Sequence, residues 1–181
     1  MSKAWIETYL GIQFDILETR PESIQIEDIA HALSQANRYT GHCRFPYPVA
    51  QHSRLGSYLV PQQHALQFLL HDASEAYIGD MNRPLKHYTK AGDEYRVVEA
   101  KIQTIIYMRF GCSPIEAEVV KHVDNQMLYA EKAQLMSPLS WSGTDWDQTQ
   151  DQAKVEIVET SFRDNKRLFL ERFYELYKSN Y

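Results

Sequence analysis

At 181 residues, with 44% apolar and 24% charged residues, the chain has the length and balance of a globular protein with a real core. A formal net charge of −5 excludes a general polyanion-binding surface, which needs a basic excess, yet leaves room for a small anionic ligand met by a few local cations. No stretch reaches the roughly 18 apolar residues of a membrane span, Glu7 comes too early for a signal-peptide core, and Cys43 and Cys112 lack metal-ligand spacing, so a cytoplasmic chain with two reduced thiols is predicted.

Trp5-Ile6-Glu7-Thr8-Tyr9-Leu10-Gly11-Ile12-Gln13-Phe14-Asp15-Ile16 alternates aromatic or β-branched residues with polar ones around a glycine, which predicts a short β-hairpin over about 4–16. The period then turns helical across about 25–178. Ile26, Ile29, Ala30 and Leu33 recur at three- and four-residue steps, in a helix stopped by Gly41. Residues 42–48, with two prolines and two aromatics, read as an ordered loop. A helix over 49–61 follows, then a second from about 62 to Gly79 that buries Leu66, Leu69, Leu70 and Ala73. A loop around Asn82-Arg83-Pro84 leads to a long amphipathic helix over 93–110, ended by Gly111.

Ser113-Pro114-Ile115-Glu116 carries an N-cap serine, a first-position proline and a third-position glutamate. This is a capping-box start for a helix that bears Asp124 and stops before Pro138. Residues 137–150, with Trp141 and Trp146, read as a polar loop, and 151–177 as helix with a break near Asp164-Asn165. The whole is one all-α domain over 1–181, a helical bundle with a short N-terminal β-hairpin.

The strongest chemical feature is His71-Asp72, followed by Glu75 and Asp80. On a helix, positions 71 and 75 share a face and 72 lies about 100° round, so the pair offers one nitrogen and one oxygen to a metal between them. The apolar neighbours Leu66, Leu69, Leu70 and Ala73 place these polar groups in a buried setting, where they need partners. His52, near the start of the preceding helix, is the third candidate ligand. Asp124 is the fourth: aspartate is a poor helix-interior residue, and this one sits among Val119, Val120, Val123, Met127 and Leu128. A capping histidine and an aspartate paired with Arg or Lys are the alternative readings of these two. Mixed histidine and carboxylate ligation suits zinc, manganese, cobalt or iron.

Four segments together carry a resemblance. Val49-Ala50-Gln51-His52-Ser53, Leu70-His71-Asp72-Ala73-Ser74-Glu75-Ala76-Tyr77-Ile78-Gly79-Asp80, Arg83-Pro84-Leu85-Lys86 and Asp124 resemble the HD-domain nucleotide phosphohydrolases. Within that superfamily the chain is similar to the group holding the bacterial 5′-deoxynucleotidase and the phage dATP triphosphohydrolase. The Trp5 to Asp15 stretch and Asp28-Ile29-Ala30-His31-Ala32-Leu33-Ser34, with Arg38-Tyr39-Thr40-Gly41-His42, are closer to the phage type. One departure is Gln51, where relatives commonly carry glutamate; it is not a ligand position.

The resemblance implies an HD-domain helical bundle whose metal is held by His52, His71, Asp72 and Asp124. The ion would be zinc, cobalt or manganese, with a second magnesium accompanying the substrate phosphates. Glu75 and Asp80 match acidic positions that orient or deprotonate water and protonate the leaving oxygen. Arg38, Lys86 and Lys121 are the cations to place against phosphate oxygens. Tyr39 and Pro84, with Tyr47 and Tyr88 as further aromatics, could line a base pocket. The histidines at 31, 42, 64, 87 and 122 are read as structural, with His42 as the exception to watch. The implied activity is removal of phosphate groups from a small-molecule deoxynucleotide, with dATP triphosphohydrolysis first and 5′-deoxynucleotidase action on dNMPs as the runner-up. A di-iron oxygenase and a non-catalytic nucleotide-binding module also stay open. The family further implies a homo-oligomer, while the charge balance and the lack of an apolar span leave no nucleic-acid polymer and no membrane among the expected partners.

Overall fold

The computed structural model describes residues 3–138 and 151–178. Strands β1 (Trp5–Glu7) and β2 (Gln13–Asp15) pair antiparallel with Ile6 opposite Phe14, as the alternation predicts. The inward residue of that pair, Phe14, is fully buried and stacks on Tyr77 with ring centroids 3.8 Å apart. The buried carboxylate of Asp28 accepts the Leu10 N–H at 2.8 Å and ties the hairpin to the helices.

Helix α1 (Ile26–Leu33) buries Ile26, Ile29, Ala30 and Leu33, the stripe read from the sequence, but it ends at Leu33. Gly41 belongs instead to a separate 3₁₀ turn, Arg38–Gly41. Helix α2 (Val49–Gly56) also ends before Pro61. One apolar cluster gathers Phe14, the α1 stripe, Val49 and Ala50, Leu66, Phe68, Leu69 and Leu70, Ile102 and Ile106, Val120 and Met127. Phe169, Phe173 and Leu176 of α8 (Phe162–Lys178) join it, and that helix lies against α1, α2 and the following helix α3 (Gln62–Leu69). Among the described residues no helix is long and apolar enough to cross a membrane. Cys43 and Cys112 are free, half-buried thiols.

The helix expected from about 62 to Gly79 is broken. α3 stops at Leu69 and α4 (Glu75–Ile78) begins after a turn over 70–74. Within that turn the Ala73 N–H reaches Leu70 O and the Glu75 N–H reaches Asp72 O, the tighter three-residue closure. The side chain of Gln103 serves the break from both ends, donating to Leu70 O at 2.7 Å and accepting the Ser74 N–H at 3.0 Å. His71 and Asp72 therefore project from a turn, and the single-helix geometry expected for residues 71, 72 and 75 does not apply.

Other boundaries move for local reasons. Asn82-Arg83-Pro84 opens helix α5 (Arg83–Tyr88), because Asn82 caps it by accepting the Leu85 N–H at 3.2 Å. Thr89 caps α6 (Lys90–Arg109) in the same way, three residues earlier than expected. Ser113 is not a helix cap: its hydroxyl bonds within a turn at Ile115, Glu116 accepts from the Tyr107 hydroxyl, and α7 (Glu118–Leu135) starts after Ala117. The side-chain box with that logic is Ser161 with Asp164, at the head of α8. Residues 151–160, expected to be helical, have no regular structure, and 164–165 lie within α8 without a break. Trp141 and Trp146, with the loop expected around them, lie outside the described residues.

Gly56 shows how closely α2 and α3 meet. A Cβ there would fall 2.1 Å from Cε1 of Phe68, a ring that is itself fully buried. Phe68 packs 4.6 Å from the His71 ring and 6.0 Å from that of His52. Gly56→Ala is expected to lower stability by about 1–3 kcal/mol through overpacking, measured by urea unfolding; an unchanged midpoint would contradict this packing.

Candidate metal centre

Three elements bring four side chains together: α2 supplies His52, the turn over 70–74 supplies His71 and Asp72, and α7 supplies Asp124. The Nε2 atoms of His52 and His71 stand 3.3 Å apart. Asp124 Oδ1 lies 3.1 Å from His52 Nε2 and 3.7 Å from His71 Nε2. Asp72 Oδ2 lies 3.2 Å from His71 Nε2 and 3.8 Å from His52 Nε2. His52, His71 and Asp72 form a group whose ligand atoms all lie within 4.8 Å of one another and could hold a metal ion. Ligand atoms about 2.0–2.2 Å from one ion in tetrahedral geometry are roughly 3.3–3.6 Å from each other, so these separations suit the donor set.

The far nitrogens fix the tautomers. His71 Nδ1 faces the Phe68 carbonyl at 2.7 Å and His52 Nδ1 faces Glu131 Oε1 at 2.6 Å. Both partners only accept, so each Nδ1 carries the proton and each Nε2 can turn a lone pair toward the cluster, the arrangement usual for metal-bound histidine. Charge in the cluster is shared tightly. Burial opposes a charged His71, but Asp72, Asp124 and the Phe68 carbonyl outweigh it and push its pKa up to about 9. His52 is also raised: burial and Arg38 oppose its charge, while Glu131 and Asp124 prevail. Burial alone would raise Asp124, yet hydrogen bonds from His52 and His71 hold its carboxyl well below the usual range. Two carboxylates here call for positive charge, which protons on the imidazoles supply and a cation would supply in their place.

Sequence reasoning missed Glu131. It is fully buried on α7 and accepts hydrogen bonds from His52 Nδ1, the hydroxyls of Tyr39 and Tyr47, and Arg38 Nε. Burial opposes its charge, but Arg38 and His52 hold its carboxyl at about 2. Its position seven residues beyond Asp124, hence on the same helical face, was the available signal.

A cavity of about 520 Å³ opens beside the cluster, and Asp72 and Asp124 form part of its wall. Of the other residues named from sequence, Arg38, Tyr39, His42, Glu75, Asp80, Pro84 and Lys86 line it; so do His87, read as structural, and Arg83, which was given no role. Lys121 does not: it is exposed and pairs with Glu118 at 3.6 Å, one turn nearer the start of α7. Tyr88 is 85% exposed, and Tyr47 is buried against Glu131 rather than in the cavity wall. His31 stacks on Tyr9, away from the cavity.

Glu75 is 7% exposed and its Oε2 has no hydrogen-bond partner among the described residues. Burial, then Asp72 and Asp80, lift its carboxyl well above the usual range. Asp80 is raised as well, mainly by burial and against Arg38. Arg38 bridges the two regions, donating to Asp72 Oδ2 at 3.1 Å and to Glu131 Oε2 at 3.3 Å. Lys86 pairs with Glu99 at 2.7 Å. Next to Arg38 the chain runs left-handed through Tyr39 (φ 56°), Thr40 (φ 53°) and Gly41 (φ 78°). For the two non-glycine residues this costs on the order of 1–3 kcal/mol each and persists only where surrounding contacts enforce it.

No protein-family model matches the chain. It is 39% identical over 132 residues to the uncharacterized protein YfdR of Escherichia coli, a match covering 73% of this chain and 72% of that protein. It is 32% identical over 130 residues to an uncharacterized protein of Rhodobacter capsulatus, covering 67% of this chain and just under two thirds, 65%, of that relative.

Proposed function

The chain belongs to the family of the uncharacterized protein YfdR of Escherichia coli, and we propose that it is a divalent-metal-dependent phosphohydrolase of HD type that removes phosphate groups from deoxynucleotides. The observation that carries this reading is the convergence of His52, His71, Asp72 and Asp124, with both Nδ1 positions tied down, beside a cavity whose wall holds the two aspartates with Arg38, Lys86 and Glu75. Within that class the favoured activity is dATP triphosphohydrolysis, on the resemblance to the phage-type enzymes.

A bound divalent ion would polarise a phosphoryl oxygen and lower the pKa of the attacking water. The residues do the rest. Arg38 and Lys86 offset the charge on the phosphate oxygens, and each already stands beside a carboxylate that orients it. Burial, with Asp72 and Asp80 beside it, makes Glu75 hold its proton more tightly than an ordinary carboxyl, so it is the group that can pass a proton to the leaving oxygen as the phosphorus–oxygen bond breaks. Asp80, at the more exposed part of the wall, orients the water and takes its proton. Tyr39 and Pro84 supply the apolar contact for the base.

The deciding assay incubates the pure protein with cobalt, manganese or zinc and with each dNTP and dNMP in turn, and identifies the products. Phosphate release from dATP is the expected result. Release of deoxynucleoside from dNMPs alone, with every dNTP intact, would replace the triphosphohydrolase by a 5′-deoxynucleotidase. No release from any nucleotide with any of the three metals would end the phosphohydrolase reading.

A further inference from the structure

The two oxygens of Glu131 look in different directions. Oε1 accepts from His52 Nδ1 at 2.6 Å and from the Tyr47 hydroxyl at 2.8 Å, so it serves the metal cluster and the core. Oε2 accepts from the Tyr39 hydroxyl at 2.6 Å and from Arg38 Nε at 3.3 Å, so it serves the cavity wall. The side chain is fully buried, so these bonds are shielded from solvent. The wall it holds is the left-handed turn, whose strain needs an outside contact to persist. Arg38 in turn reaches back to Asp72 of the cluster at 3.1 Å.

We propose that Glu131 is a positioning residue that couples the metal centre to the anion-binding wall, so that a cation held by His52 and its neighbours and a phosphate held by Arg38 strengthen each other's binding. The inference rests on the metal-centre reading and adds the interdependence of the two sites. Its physical route is short. His52 would hold the cation through Nε2, which would make its Nδ1–H a better donor and so pin Oε1 and with it the orientation of the whole carboxylate. Oε2 then holds Arg38 and Tyr39 in the geometry an anion meets. All four partners of Glu131 are donors, so an amide in its place would turn an NH₂ group toward two of them.

Calorimetry on the full chain tests this with Co²⁺ alone, dilute inorganic phosphate alone, and each in the presence of the other. In the wild type each probe should tighten the other by about five- to tenfold, by the same factor in both orders. Glu131→Gln should weaken Co²⁺ by about 10–100-fold and bring the coupling factor to one. Tyr47→Phe, which removes a bond to the same carboxylate from outside both sites, should keep the coupling. Tyr39→Phe cuts one bond on the wall side only, and decides the matter if Glu131→Gln does not fold: coupling should fall while the affinity for Co²⁺ alone is kept. Co²⁺ bound by the wild type without any coupling to phosphate overturns the proposal and leaves the metal centre standing. Equal loss of coupling in Tyr47→Phe, or Glu131→Gln with lowered stability but unchanged Co²⁺ affinity and coupling, also overturns it. A wild type that binds no divalent cation removes the metal centre itself.

Discussion

Asp72→Ala is expected to abolish both metal retention and deoxynucleotide hydrolysis while leaving the helical content intact. Asp72 Oδ2 is the cluster oxygen nearest His71 Nε2, at 3.2 Å, and also receives Arg38 at 3.1 Å. Its loss takes away a proposed ligand together with the anchor of the cation proposed to bind phosphate. Lewis-acid stabilisation is worth several kcal/mol, and each ~1.4 kcal/mol is a factor of ten, so kcat/KM should fall on the order of 10³-fold or more. Asp72 sits in a turn and is half-buried, so the fold survives the change. Metal content by atomic absorption, circular dichroism and turnover would be read on the same preparation. Wild-type activity in Asp72→Ala would sink the proposed mechanism.

Arg38→Ala should be nearly as damaging, and Arg38→Lys should restore little. The guanidinium spans two carboxylates, with one nitrogen on Asp72 and another on Glu131. A lysine ammonium is a compact point charge and cannot reproduce that planar reach. Removing a donor of developing phosphate charge typically costs about 10²–10³ in kcat. Leaving the fully buried Glu131 without its cation should cost about 3–5 kcal/mol of stability. The same pair predicts a pH effect. Glu131 is held at about 2 against an ordinary 4.5, so its stabilising share is fully present above about pH 4.5 and is lost as the pH falls through about 2. Without Arg38 its carboxyl protonates at higher pH, and acid unfolding should start earlier in Arg38→Ala than in the wild type. Coincident acid midpoints for the two proteins would contradict this account.

Local signals read well wherever local forces decide. The hairpin follows from alternation, the α1 stripe from its period, and the end of α7 from Pro138 downstream of Leu135. The long helix through His71 was misread because Leu66, Leu69, Leu70 and Ala73 keep the right spacing, while the break depends on Gln103, a side chain from a distant helix. A capping box was read at Ser113, where residue types fit but the backbone turns instead; Ser161 and Asp164 perform that role without a proline to advertise it. Asp124 stood out as an aspartate on an apolar helix. Glu131 did not, since glutamate is an ordinary helix former and its partners come from positions 38 to 52.

The dispersal of the candidate ligands over α2, the turn over 70–74 and α7 would make ion binding and folding a single linked equilibrium. No short piece of the unfolded chain holds His52, His71 and Asp124 together, so an ion that suits the cluster binds the native state and has little to bind otherwise. Free metal at about a hundred times its dissociation constant would add roughly 2.7 kcal/mol to the native state. The supply of the ion would then govern how long the protein lasts as well as how fast it works, and a metal-starved cell would carry less of it to switch back on.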